Sequence, residues 1–242
     1  MLEIISPHTK FDFVGLRGKA VVISLILSAL CLALLFVRGP KMGIDFAGGS
    51  LVQVRFKAST QADALRDTLG AAGFEAIDIQ DLGRDQTEFL IRVPMTAEDT
   101  ESRTKKVVST LGDKFGADQV EVLRVETVGP RVGEALRGKA ALAVLMSTLM
   151  MGIYIWLRFE WRYGVGAVVA LLHDVIIAIG AMILFGYEFD LTTVAALLTV
   201  VGFSVNDTVI ISDRIRENRG KDRRAPLAEV INRSVNETLS RT

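Results

Sequence analysis

Cysteine is nearly missing: the 242 residues contain one, Cys31. No disulfide can form within the chain, so each folded part must rest on its own core. Histidine is almost as scarce, with His8 in the N-terminal tail and His173 in an apolar run. Aromatic residues make up 7% and prolines number five. Net charge is also absent, with 28 basic against 28 acidic side chains, but that zero hides an asymmetry along the chain and says nothing about partners. Hydrophobic residues are what the sequence has in excess, at 50%. The mean hydropathy of +0.37 is unusual for a soluble protein and points to a membrane protein.

Four runs are long enough to cross about 30 Å of hydrocarbon at roughly 20 residues each. They are 20–37, 140–157, 164–185 and 191–211. Lys10, Arg17 and Lys19 precede the first, and Arg38, Gly39 and Pro40 follow it without a small-residue cleavage site, which reads as a retained anchor. Arg158 and Arg162 fill the loop between spans two and three, and six basic residues from Arg214 to Arg224 follow span four. The loop 186–190 has two acids and no base. Positive charge stays inside, so the expectation is a cytoplasmic N-terminal segment 1–19, a large domain 38–138 outside, and a cytoplasmic segment 212–242. Within that last segment, Leu227, Val230, Ile231, Val235 and Leu239 recur at helical spacing after Pro226, as in an interfacial helix.

The outer domain alternates regularly. SLVQVRF, FEAIDIQDLG, EFLIRV and VEVLRVETV read as strands, and TQADALRDTLGAAG and AEDTESRTKKVVSTLGDKFG as helices. The order βαββαβ predicts a ferredoxin-like α+β domain inserted into an α-helical polytopic membrane protein. It holds no histidine, cysteine or phosphate-cradling loop, so a binding or lever module is expected, not an enzyme, and no cofactor or metal is implied.

Two places carry further information. In KMGIDFAGGS, Gly43, Asp45, Gly48 and Gly49 read on composition alone as a tight turn. In VGFSVNDTVIISDRIREN, Asn206 and Asp207 lie inside the apolar part. An ionised carboxylate at mid-membrane costs at least a few kcal/mol, so it is expected to face protein. Thr192, Ala195, Thr199, Gly202, Asn206 and Asp213 recur every three to four residues beside it, predicting a small, polar face turned toward protein. At 1.5 Å per residue, Asp207 lies about 12 Å and Asp174 about 15 Å inside the cytoplasmic end. A polar layer of His173, Asp174, Asn206 and Asp207 follows, able either to carry a proton or simply to hold helices together. Adjacent helical residues do not face one site, so His173 and Asp174 read as a hydrogen-bonded histidine and its neighbour, not as metal ligands.

GIDFAGGS, LLHDVIIAIG and VGFSVNDTVIISDRIREN, in this order, resemble the SecD/SecF family of Sec protein-export subunits, within the resistance-nodulation-division superfamily. The single short outer domain is similar to the SecF branch. This resemblance covers essentially the whole chain and implies six spans, so the sequence is expected to stop before a fifth. It implies residence in the bacterial inner membrane, a periplasmic outer domain, and use of the proton gradient to promote preprotein export. SecD and the SecYEG translocon are the implied partners, with YajC, YidC, unfolded preprotein and membrane lipid beyond them. It also implies that Asp207 is the acidic proton carrier and that Arg241, which cannot deprotonate, stabilises its ionised form or trades places with the proton. Two other readings stand beside this one: a passive assembly subunit whose polar layer is glue, and an intramembrane aspartyl protease with an Asp174/Asp207 dyad.

Overall fold

The structure, a computed structural model, describes residues 11–74, 77–83, 85–94, 100–159 and 161–239. The elements run α1 (Phe13–Val37), β1 (Lys41–Met42), α2 (Ile44–Ala47), β2 (Gly49–Phe56), α3 (Ala62–Ala71), β3 (Asp78–Asp81), β4 (Glu88–Pro94) and α4 (Thr100–Phe115). A short 3-10 turn then leads to β5 (Val120–Val128), α5 (Pro130–Arg158), α6 (Trp161–Phe185), β6 (Glu188–Phe189), α7 (Leu191–Lys221) and α8 (Leu227–Thr238). They form two compact units: one of Met1–Lys41, Leu142–Glu188 and Thr192–Thr242, the other of Met42–Ala141 and Phe189–Leu191.

The first unit contains the apolar helices, except that the start of α5, through Ala141, belongs to the second. Helices α1, α5, α6 and α7 have 25, 29, 25 and 31 residues, each long and apolar enough to cross a membrane. The Asp12 side chain caps α1 by accepting from the Gly15 N–H at 2.8 Å, and Gly39 and Pro40 follow its end. Ile155 of α5, Ala167, Leu171 and Val175 of α6, and Val201 and Val205 of α7 make one buried cluster. Small residues let the backbones approach. A Cβ at Gly180 would collide with Cys31 of α1, and one at Gly152 with Val168. Among the described residues, then, the lone cysteine is a packing residue: it is buried between α1 and α6.

Alternation builds the second unit. In β2, Val52, Val54 and Phe56 point inward while Gln53 and Arg55 face out, and Phe89, Ile91 and Val93 do the same in β4. Leu65 and Leu69 of α3, Val107 and Leu111 of α4, and Ile79 of β3 close this core. Fully burying such a side chain contributes roughly 1.5–3 kcal/mol. The four strands pair antiparallel in the order β3-β4-β2-β5. Each helix therefore spans a crossover that skips one strand, as a βαββαβ order with both helices on one face requires. A register shift between Gln53 and Val54 marks a bulge against β5.

Candidate functional site

The glycine stretch folds into more than a tight turn. Ile44–Ala47 form one helical turn with Ile44 and Phe46 buried, and the chain then enters β2 through Gly48 (φ 79°) and Gly49 (φ 134°). A Cβ on Gly49 would lie 2.6 Å from the Val93 carbonyl oxygen, so both the angle and the space demand glycine. The Gly43 N–H donates to the Phe189 carbonyl at 2.7 Å, and Asp45 Oδ2 accepts from the Leu191 N–H at 2.9 Å. Gly133 lets α5 pass so close to this turn that its Cβ would sit 3.1 Å from the Phe46 oxygen, to which the Arg137 guanidinium donates at 3.1 Å. Gly133 and Arg137 are about 90 residues away in sequence, and nothing local marks them.

The intramembrane polar residues divide into two sets. His173 and Asp174 are joined directly, Nδ1 to Oδ1 at 3.0 Å, although adjacent helical residues were expected to face apart. The imidazole can swing along its own helix to reach its neighbour's carboxylate, which helix periodicity does not take into account. His173 Nε2 meets Ser24 Oγ of α1 at 2.7 Å, and Ser204 Oγ of α7 donates to Asp174 Oδ2 at 2.6 Å. With the carboxylate ionised, Nδ1–H donates to it and Nε2 accepts from the serine, so every member is satisfied. Ser24 and Ser204 were not anticipated. A hydroxyl in an apolar helix ordinarily bonds its own backbone, and only packing reveals a different partner.

Ser24, His173 and Asp174 follow the order of a nucleophile, base and orienting acid. Ser24 lies in the interior of α1, however, where backbone N–H groups are consumed by the helix, so no pair of donors faces a developing oxyanion. The set is a hydrogen-bond clamp joining α1, α6 and α7. For the alternative of an Asp174/Asp207 dyad, the described hydrogen bonds of Asp174 go to His173 and Ser204 and none joins the two carboxyl groups.

Asp207 and Asn206 stand apart from this clamp. Among the described residues neither makes a side-chain hydrogen bond or ion pair; Asp207 is half-buried and Asn206 exposed. Asp207 follows Ser204 by three residues, on the same side of α7. Arg241 lies outside the described residues. Within this chain the small, polar stripe is not the face of α7 that packs. Thr193, Leu197, Val201 and Val205 occupy the packed face of α7, while Thr192, Ala195, Thr199, Gly202, Asn206 and Asp213 are exposed. Valine and leucine at i, i+4 take the apolar contacts available in this chain and turn the small residues away.

Beyond the apolar part of α7, Arg214 Nε donates to Glu237 Oε2 of α8 at 2.7 Å, and Asn218 Nδ2 donates to the same oxygen at 2.8 Å. Burial pushes the Glu237 carboxyl up, but the Asn218 amide and Arg214 guanidinium outweigh it and hold it below the usual range. Asn232 and Asn236 of α8 bind the backbone of Phe11 and Phe13 ahead of and at the start of α1, at 2.8–3.0 Å. The inner face of α8 is thus partly polar, with Val230, Ser234, Asn236 and Thr238 buried.

The family model of the protein export membrane protein SecD/SecF, C-terminal, matches residues 107–242, more than half the chain, and that of the SecD/SecF GG motif matches residues 33–60. The chain belongs to the SecD/SecF family. The protein translocase subunit SecF of Desulfurispirillum indicum is 43% identical over 237 residues, 95% of this chain and 74% of that protein. The subunit of the same name from Pseudomonas aeruginosa is 39% identical over 231 residues, 96% of this chain and 74% of that protein. Among solved structures, SecDF of Thermus thermophilus, a translocon-associated membrane protein, is 36% identical with a TM-score of 0.81. The match covers 98% of this chain and 32% of that one, so the chain spans about a third of the solved SecDF polypeptide. The glycine turn described above lies inside the family's GG motif, and all of α5 to α8 inside its C-terminal region.

Proposed function

We propose that this chain is a proton-coupled subunit of the Sec export machinery in the bacterial inner membrane. Its N-terminus and the segment after α7 lie in the cytoplasm, and the α/β unit, a ferredoxin-like domain, lies in the periplasm. SecD is the partner within the membrane and SecYEG the channel it serves, with YajC and YidC as further neighbours. The α/β unit contacts unfolded preprotein and performs no covalent chemistry.

One observation carries the proton role: Asp207 is a half-buried carboxylate in a 31-residue apolar helix, without a side-chain partner among the described residues. An acid left unpaired at membrane depth is expensive when ionised, at least about 2.5–3.5 kcal/mol. Proton uptake and a cation brought from elsewhere both relieve that cost, and Arg241 is the cation the family resemblance implies. Ser204 and the Asp174–His173–Ser24 clamp one turn away extend the polar path across three helices. The exposed Thr192-to-Asp213 stripe supports a partner in the membrane, since small residues favour helix contact over lipid.

Asp207→Asn keeps size and hydrogen bonding while fixing the neutral state. Inverted vesicles carrying this variant should assemble normally and lose the stimulation of export by an imposed proton gradient. Undiminished stimulation would defeat the proposal. The fully satisfied clamp favours a second reading, passive helix glue. In that case Asp207→Asn is harmless, and Ser24→Ala, which strands His173 Nε2 at a cost of about 1–3 kcal/mol, damages assembly.

A further inference from the structure

We propose that the first unit contains a binding site for the phosphodiester headgroup of an anionic phospholipid, in a cavity of about 620 Å³ bordered by α6, α7 and α8. That volume falls within the roughly 300–1,000 Å³ of ligand pockets. Arg162, Arg216 and Arg219 line it together with Phe159, Tyr163 and Leu227. The charges on α7 differ in a telling way. Arg214 is paired with Glu217 and Glu237, and Lys221 with Glu217. Arg216 and Arg219, on the same turns, have no ion-pair partner among the described residues, and neither has Arg162. Three arginines that border one concavity without an ion-pair partner among the described residues repel each other until an anion enters, and a guanidinium's planar fork suits phosphate oxygens.

The rest of the wall selects the kind of anion. Aromatic and aliphatic side chains meet the arginines at the end of the bundle where α5 stops at Arg158 and α6 begins at Trp161. Trp161 and Leu157 are 59% and 78% exposed beside it, as residues at a membrane boundary are, and the Arg162 guanidinium lies 5.7 Å from the Trp161 ring centroid. A headgroup whose glycerol and first methylenes rest on Phe159 and Leu227 while its phosphate meets the arginines satisfies both halves of the lining, which a free phosphate does not. An occupied site would tie α8 to the α5–α6 turn and to the end of the helix that carries Asp207.

Native mass spectrometry of the whole purified protein, stripped of lipid in nonionic detergent and titrated with dioleoylphosphatidylglycerol, tests this. A one-to-one adduct is expected. Arg216→Gln/Arg219→Gln should weaken it about tenfold or more, whereas Arg223→Gln/Arg224→Gln, which removes the same charge outside the cavity, should leave it within about twofold. Glycerol phosphate at equal concentration should not displace the lipid. Equal weakening in both double variants, absence of the adduct, or displacement by glycerol phosphate as effective as by lipid would each overturn the proposal.

Discussion

Single residues show why the stretch KMGIDFAGGS has the letters it has. Gly49 combines φ 134° with a carbonyl where its Cβ would be, so Gly49→Ala must move the junction of α2 and β2 or the neighbouring strand β4. A loss of about 1–3 kcal/mol from the α/β unit is expected, read as a lower denaturant midpoint for protease resistance of residues 49–128. Gly18→Ala, where a Cβ meets nothing within 4 Å, is the matching control and should leave that midpoint unchanged. Asp45 acts through one bond, to the Leu191 N–H, so Asp45→Asn should be tolerated and Asp45→Ala should cost about 1 kcal/mol by the same measurement.

At the scale of elements, α8 is docked by charge and amide contacts as well as by the fully buried Val230 of its apolar stripe. Leu227 is exposed, while Asn218, Ser234, Asn236 and Glu237 make the contacts. The Glu237 carboxyl is held below its ordinary range of roughly 4.3. A depressed folded-state value means that the ionised form stabilises the docked helix above the unfolded value, and that this stabilisation is lost as pH falls through the folded value. Amide exchange in α8, corrected for intrinsic rates, should therefore accelerate between pH 7 and pH 3. In Glu237→Gln the exchange should already be faster at pH 7 and should show little further change with pH. Acceleration of equal size in both proteins would assign the effect to another group.

For the whole molecule, the proposed orientation is open to labelling. Cys31 is 6% exposed, so the wild-type chain supplies a quiet background. Cysteines introduced singly at the exposed positions Ser59 and Ser102 should react with an impermeant maleimide applied outside intact spheroplasts, and one at Arg223 should react only after the membrane is opened. Protection of both Ser59→Cys and Ser102→Cys in intact cells would reverse the orientation. The exposed stripe on α7 makes a second demand at this scale: Ala195→Phe and Gly202→Phe, each on that face, should reduce recovery of a homologous membrane subunit in mild detergent, whereas Val169→Phe on the exposed side of α6 should not.

The sequence by itself determined whatever depends on near neighbours. Apolar runs of about twenty residues have no stable form in lipid except a helix, and period-two alternation buries one face of a strand, so the four long helices and the βαββαβ order are legible without coordinates. The GG stretch and the acid at Asp207 were likewise visible, because glycine pairs and intramembrane carboxylates are costly wherever they occur. Only tertiary structure decided which faces meet. Within this chain the packed side of α7 is that of Val201 and Val205, and His173 found Ser24, 149 residues distant, by way of α1 lying against α6. Periodicity defines a helix's faces, but which of them is covered depends on the neighbours that fold against it, and that information is spread over the whole chain.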